Sequence, residues 1–159
     1  MSGQMSSRPV CFPRAGPVAY WHESLKATQW EDPMTEMPQL KLSGIVLDAP
    51  DARELAAFYR RLLGWAADQD EPEWVTLVSP SGGAGLSFQS NSAYVRPVWP
   101  APPGAQQPMM HLDIAVEDLD AATAHAKAAG AVLAGYQPQA DVRVHLDPAG
   151  HPFCLYLAS

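Results

Sequence analysis

The sequence predicts an α+β fold built from two copies of a βαβββ module. Three observations carry this. A strand pattern runs directly into a helix pattern twice, over 42–64 and again over 110–130. Each helix is followed by short alternating segments separated by turns rich in Gly, Pro, Asp and Ser. The two halves also share spacing: Gly44 and His111 each stand seven residues before an acid, Asp51 and Asp118.

In the first half, 40–48 alternates as a strand, and Asp51 is placed to cap the helix that follows. That helix runs to Leu63, with Leu55, Phe58, Tyr59, Leu62 and Leu63 at helical spacing and Gly64 as its stop. A short strand is expected over 65–70, a strand over 74–79, a turn at Pro80-Ser81-Gly82-Gly83 and a returning strand over 85–90. In the second half, 110–117 puts Leu112, Ile114 and Val116 on one face and His111, Asp113 and Ala115 on the other. An apolar face for a helix, with a His and an Asp opposite, describes a sheet lining a polar pocket. Asp118 or Asp120 caps a helix that ends at Gly130. Strands are expected over 132–136, 141–147 and 152–157, with the turn Asp147-Pro148-Ala149-Gly150 between the last two. Ser87 and Cys154 then occupy matching places in the last strand of each half.

The domain is expected over 37–159, with module one at about 40–90, a Pro-, Ala- and Gln-rich linker or lid at 91–108, and module two at about 109–158. Residues 1–36 show no sustained periodicity and read as a poorly ordered extension. Within it a short helix over 22–30 and docking of Trp21 and Trp30 are alternatives, as is a natural start at Met37.

A net charge of −7 and the lack of a basic patch argue against nucleic-acid binding. No stretch approaches the roughly 20 apolar residues of a membrane span. With two cysteines, Cys11 and Cys154, and no visible leader, a reducing cytoplasm is the expected compartment. The glycines at 82, 83 and 85 lack the following helix of a phosphate loop, and no serine-hydrolase elbow is present.

Four stretches together resemble the vicinal oxygen chelate superfamily of glyoxalases, extradiol dioxygenases and bleomycin-resistance proteins, most nearly its glyoxalase-like domain proteins. They are Val46-Leu47-Asp48-Ala49-Pro50-Asp51 with Phe58-Tyr59 and Leu63-Gly64-Trp65; Gly85-Leu86-Ser87-Phe88-Gln89; His111-Leu112-Asp113 running into Val116-Glu117-Asp118-Leu119; and Asp147 through Leu155. The resemblance spans about 40–158. It implies two modules around a cleft, often as a homodimer, and a divalent metal held by one side chain from the first and last strand of each module. The matching positions here are Gly44, Ser87, His111 and Cys154. Only His111 is an ordinary ligand of that family, so the resemblance implies a metal-free member or one whose metal has moved.

Strand period and resemblance together assign the pocket face to Val46, Asp48, Trp74, Thr76, Ser87 and Gln89 in the first half. In the second they assign His111, Asp113, Arg143, His145, Cys154 and Tyr156. Trp74, Thr76, Ser87, Gln89, Arg143 and Tyr156 are the candidate ligand-binding residues, with Trp99 a further stacking candidate. His111, Asp113 and His145 are the candidate acid–base group. Arg143 either holds an anionic substrate group or pairs with Asp113. A metal, if bound, falls to His111 and Cys154, with a displaced site including His145 as an alternative. Cys154 otherwise reads as a buried inert thiol, and His151, next to a turn, as a surface residue. The expected function is binding of a small organic molecule in the cleft. The alternatives are a lyase, isomerase or dioxygenase-like enzyme, and a dimeric structural or regulatory protein whose pocket Trp74, Phe88 and Tyr156 close. Cofactors stay open between none and a divalent metal.

Overall fold

The computed structural model describes residues 39–158. The expectations placed on residues 1–36 lie outside the described residues.

The first module is β1 (Gly44–Ala49), α1 (Ala52–Leu63), β2 (Ala66–Glu71), β3 (Trp74–Val78) and β4 (Gly85–Ser90). The second is β5 (Leu112–Val116), α2 (Leu119–Ala129), β6 (Val132–Leu133), β7 (Val142–Leu146) and β8 (Pro152–Leu157). Each forms a four-stranded sheet with the same plan, β1-β4-β3-β2 and β5-β8-β7-β6. In both, the first and last strands pair in parallel and the rest are antiparallel. Two βαβββ modules are therefore present, as the repeat predicts.

Both helices start and stop where their chemistry directs. The Asp51 side chain accepts from Glu54 N at 3.0 Å, and Gly64 closes α1 at φ 70°. Of the two candidate caps for α2 the structure uses Asp118, which accepts from the backbone N–H of Asp120 and of Ala121 at 2.8 and 3.0 Å. The strand at 132–136 is shorter than expected, and the reason is a side chain. Gln137 donates to Ala134 O and Val144 O and accepts from Val144 N, so an amide takes over from the backbone ladder after Ala134, whose N–H still reaches Val144 O.

The core lies between the helices and the sheets, and it is shared. Leu47, Val75, Leu77, Leu86 and Phe88 from the first sheet, Phe58 and Tyr59 from α1, and Phe153 and Leu155 from the second sheet belong to one buried cluster. The helices also bond each other's ends: Arg61 Nε donates to Ala129 O and His125 Nε2 to Leu62 O, both at 3.0 Å. A smaller cluster of Ala134, Val142, Val144 and Cys154 sits on the opposite face of the second sheet, under Trp99 of the linker. No helix among the described residues is long and apolar enough to cross a membrane.

Candidate functional site

Strand alternation exposes one face of each sheet away from the helices. On the first sheet Leu47, Val75, Leu77, Leu86 and Phe88 turn to the core, so Asp48, Trp74, Thr76, Ser87 and Gln89 share the open face. Three of these, with Gln69 of β2, form one hydrogen-bonded chain. The Trp74 indole N–H lies 3.0 Å from Thr76 Oγ1 and 3.2 Å from Gln69 Oε1, and Thr76 Oγ1 lies 3.1 Å from Ser87 Oγ. Next to it, Glu71, Glu73, Trp74 and Gln89 line an open cavity of about 600 Å³. Gln69 was not among the sequence candidates, because the weak pattern of β2 assigns no face. Phe88 cannot close this cleft. It lies on the helix side, stacked on Tyr59 at 5.3 Å.

The second sheet corrects the sequence reading. Val144 pairs with Cys154 and His145 with Phe153. The open face of β7 therefore carries Val142, Val144 and Leu146, together with Cys154 and Tyr156 of β8. Arg143 and His145 lie on the helix side. Arg143 donates to Ala140 O and Val142 O at 2.8 and 3.0 Å rather than pairing with Asp113. His145 takes the place that Leu77 holds in the first module, fully buried and stacked on Phe153 at 5.4 Å. The cause is the small apolar cluster under Trp99, which claims the valines of β7 that a core would otherwise take. The match of Ser87 to Cys154 already contained this answer, since it aligns Val144 with Thr76.

His145 Nδ1 donates to Arg143 O at 3.2 Å, and Nε2 is buried with no hydrogen-bond partner. Burial, seconded by Lys127 and Arg143, holds the imidazole below its ordinary value, against the opposing effect of that backbone bond. The unfolded chain thus binds the extra proton more readily than the folded one. The stabilising contribution is full above about pH 6.5, the ordinary histidine value, and is lost as pH falls through the lower folded value. His145→Leu is expected to remove this acid-side loss, so that denaturation midpoints measured above and below the histidine range differ less than in the parent. An unchanged difference would refute the assignment.

His111 and Asp113 do meet on the open face, with His111 Nε2 3.2 Å from Asp113 Oδ1. One ligand atom each from His111, Asp113 and Cys154 lie within 4.8 Å of one another. His145, on the other face, does not join them. Cys154 is buried and disulfide-bonded, which corrects the reading of an inert thiol; its sulfur offers a thiolate only after reduction. The metal set implied by the resemblance does not fit here. Gly44 has no donor, although a Cβ there would sit 3.9 Å from Ser87 Oγ and so shares its face. Ser87 supplies a neutral hydroxyl engaged with Thr76, leaving His111 as the one ordinary ligand among the four positions.

A second polar group lies at the junction of the modules. Asp147, 1% exposed, accepts from Tyr59 OH (3.1 Å), His151 N (2.9 Å) and His151 Nδ1 (2.9 Å). Tyr94 of the linker donates to Ala149 O at 2.9 Å and lies 3.2 Å from His151 Nε2. Burial, then Asp147, pushes the Tyr59 phenol well up, and the same causes push Tyr94 to about 12. His151 is thus no surface turn residue but the partner of a buried carboxylate. The spacing of Asp147 and His151 across the Pro-Ala-Gly turn was the available signal. Arg96 Nη1 donates to Pro148 O at 2.6 Å and fastens the linker to the same turn.

Comparison with known proteins agrees with this architecture. Residues 44–156 match a family described as Glyoxalase-like domain. No curated protein matches the chain. A glyoxalase/bleomycin resistance protein/dioxygenase family enzyme from Burkholderia phytofirmans PsJN superposes with TM-score 0.56 at 18% identity, over 76% of this chain and 100% of its own. A glyoxalase-related enzyme from Fulvimarina pelagi gives 0.54 at 21%, over 77% and 89%. An antibiotic binding protein from Streptomyces sp. CB03234 gives 0.54 at 18%, over 78% and 100%. At these identities the structures speak to fold alone, and the family rests on the match across 44–156: the chain belongs to the glyoxalase-like domain family of the vicinal oxygen chelate superfamily.

Proposed function

We propose that the protein binds a small organic molecule on the open face of its first sheet, without the four-ligand metal of its superfamily. The observation that carries this is the Trp74–Gln69–Thr76–Ser87 chain. It stands where the resemblance puts a metal ligand, and it combines an aromatic surface with fixed polar groups beside an open cavity. Such a mixture suits a flat ligand that stacks at one end and hydrogen-bonds at the other. An antibiotic binding protein with the same fold is consistent with it. A homodimer belongs to the same proposal, and sedimentation of the purified protein tests it.

The test uses ¹⁵N-labelled protein, with the Trp74 indole signal assigned through Trp74→Phe. Naphthol, naphthoate and quinoline serve as probes. At least one is expected to shift that signal saturably and to lose about tenfold in affinity in Trp74→Ala. No shift with any of the three, or binding indifferent to Trp74→Ala, would sink the reading.

A second reading rests on His111, Asp113 and Cys154. With Cys154 reduced, these three side chains would hold a divalent metal, which would polarise a bound oxygen and support lyase, isomerase or dioxygenase-like chemistry. Without a metal, His111 would act as base and Asp113 would orient it. Reduced protein loaded with Zn²⁺ and desalted is expected to retain close to one ion per chain and to lose it in His111→Ala. Retention unaffected by that change would end the metal form of this reading.

A further inference from the structure

A second cavity at the open face of the first sheet is lined by none of the residues of the Trp74 chain or of the His111 group. It has a volume of about 400 Å³ and lies between the open end of β1 and the linker, with the Tyr94–His151 pair on its wall. Asp48 lines it, half-buried, and Asn91 Nδ2 donates to Asp48 Oδ2 at 2.8 Å. No Lys or Arg lines the cavity. Among the described residues no cationic side chain forms an ion pair with Asp48. The remaining walls combine Gln106 and Gln107 with apolar residues, of which Val46, Val95, Met109 and Met110 leave much of their surface exposed.

We propose that this cavity binds a small organic cation, an amine carrying an apolar or aromatic body. Asp48 is its counter-ion, Asn91 fixes that carboxylate, and Val46, Met109 and Met110 receive the body. A carboxylate beside apolar wall residues without a resident cation is poorly solvated, and an ammonium group meets both its charge and its hydrogen-bonding capacity. Methionines adapt their shape to an apolar guest. An anionic guest would face Asp48 at close range, Asp147 behind His151, and a chain of net charge −7. Tyr94, with its proton held to about 12, stays neutral at ordinary pH, and His151 on the same wall is bonded to Asp147 and Tyr94, which leaves Asp48 as the carboxylate open to the cavity. This site shares no residue with the Trp74 chain.

The experiment uses the full chain with ¹³C-methyl methionine and ¹⁵N labels, the Met109 and Met110 signals being assigned by Met→Leu changes. Three probes of one shape are titrated: phenylbutylamine, phenylbutanol and phenylbutyrate. The amine is expected to shift both methyl signals saturably, with the alcohol and the acid weaker by about tenfold or more. Asp48→Asn is expected to weaken the amine by about the same factor. Met110→Lys, which puts an ammonium group into the cavity on a half-exposed side chain, is expected to abolish its binding and keeps the test valid should Asp48→Asn disturb the fold. Equal binding of the three probes, full affinity in either variant, no shift at all, or shifts confined to the Trp74 indole would each overturn the proposal. Because the Met and Trp signals are read in one titration, failure here and failure at the first sheet are told apart.

Discussion

Asp147→Ala lowers the stability of the protein by about 3–5 kcal/mol, read as a fall in the urea midpoint at unchanged slope. The carboxylate is 1% exposed and holds three donors from two elements: Tyr59 of α1, and the backbone and ring of His151 before β8. Its removal leaves the buried Tyr59 hydroxyl and the partly covered His151 N–H groups without this acceptor, and the buried loss is the expensive one. It also frees the turn to which Tyr94 and Arg96 tie the linker. Asp147→Asn keeps an acceptor oxygen but turns an N–H₂ toward donors, so its loss falls between those of the parent and the Ala variant. A change below about 1 kcal/mol in Asp147→Ala would show that Tyr59 and His151 find other partners.

Phe58→Ala is expected to cost about 3–5 kcal/mol, the usual range for a fully buried aromatic residue cut back to Ala. Phe58 packs edge-on against Tyr59 at 4.8 Å and reaches Phe153 of the other module at 6.0 Å. The void therefore opens between the two modules, where neither sheet can close it without giving up contact with the other. Calorimetry or denaturant titration gives the value. The exposed Tyr136→Ala, which removes a ring beside Trp99, serves as the reference for an aromatic lost outside this core. Equal costs for the two would refute the placing of Phe58 at the centre.

Elements and faces were legible in the sequence wherever period and punctuation agreed. Asp51 and Gly64 bracket α1, Asp118 and Gly130 bracket α2, and β4 and β8 have the bounds that alternation draws. On β7 the rule that polar residues face the pocket failed. The side of a strand that looks to solvent in one module carries an apolar patch in the other, and His145 was pressed into the place of a leucine. The Trp74, Thr76, Ser87 and Gln89 face followed from the strand period and the resemblance together. Gln69 and the Asp147–His151–Tyr94 group needed contacts made across β2, the linker and a turn, and no local pattern records those.

The shared aromatic layer also governs how the chain unfolds. An internal repeat with a linker between its halves invites the expectation of two melting steps, one per copy. Here Phe58 and Tyr59 of the first copy and Phe153 and Leu155 of the second bury one another, so neither copy retains a dry interior alone. A fragment ending in the linker would expose that layer and need its complement, added in trans, to fold. The intact chain should lose both halves in a single cooperative transition, with the duplication invisible to the calorimeter.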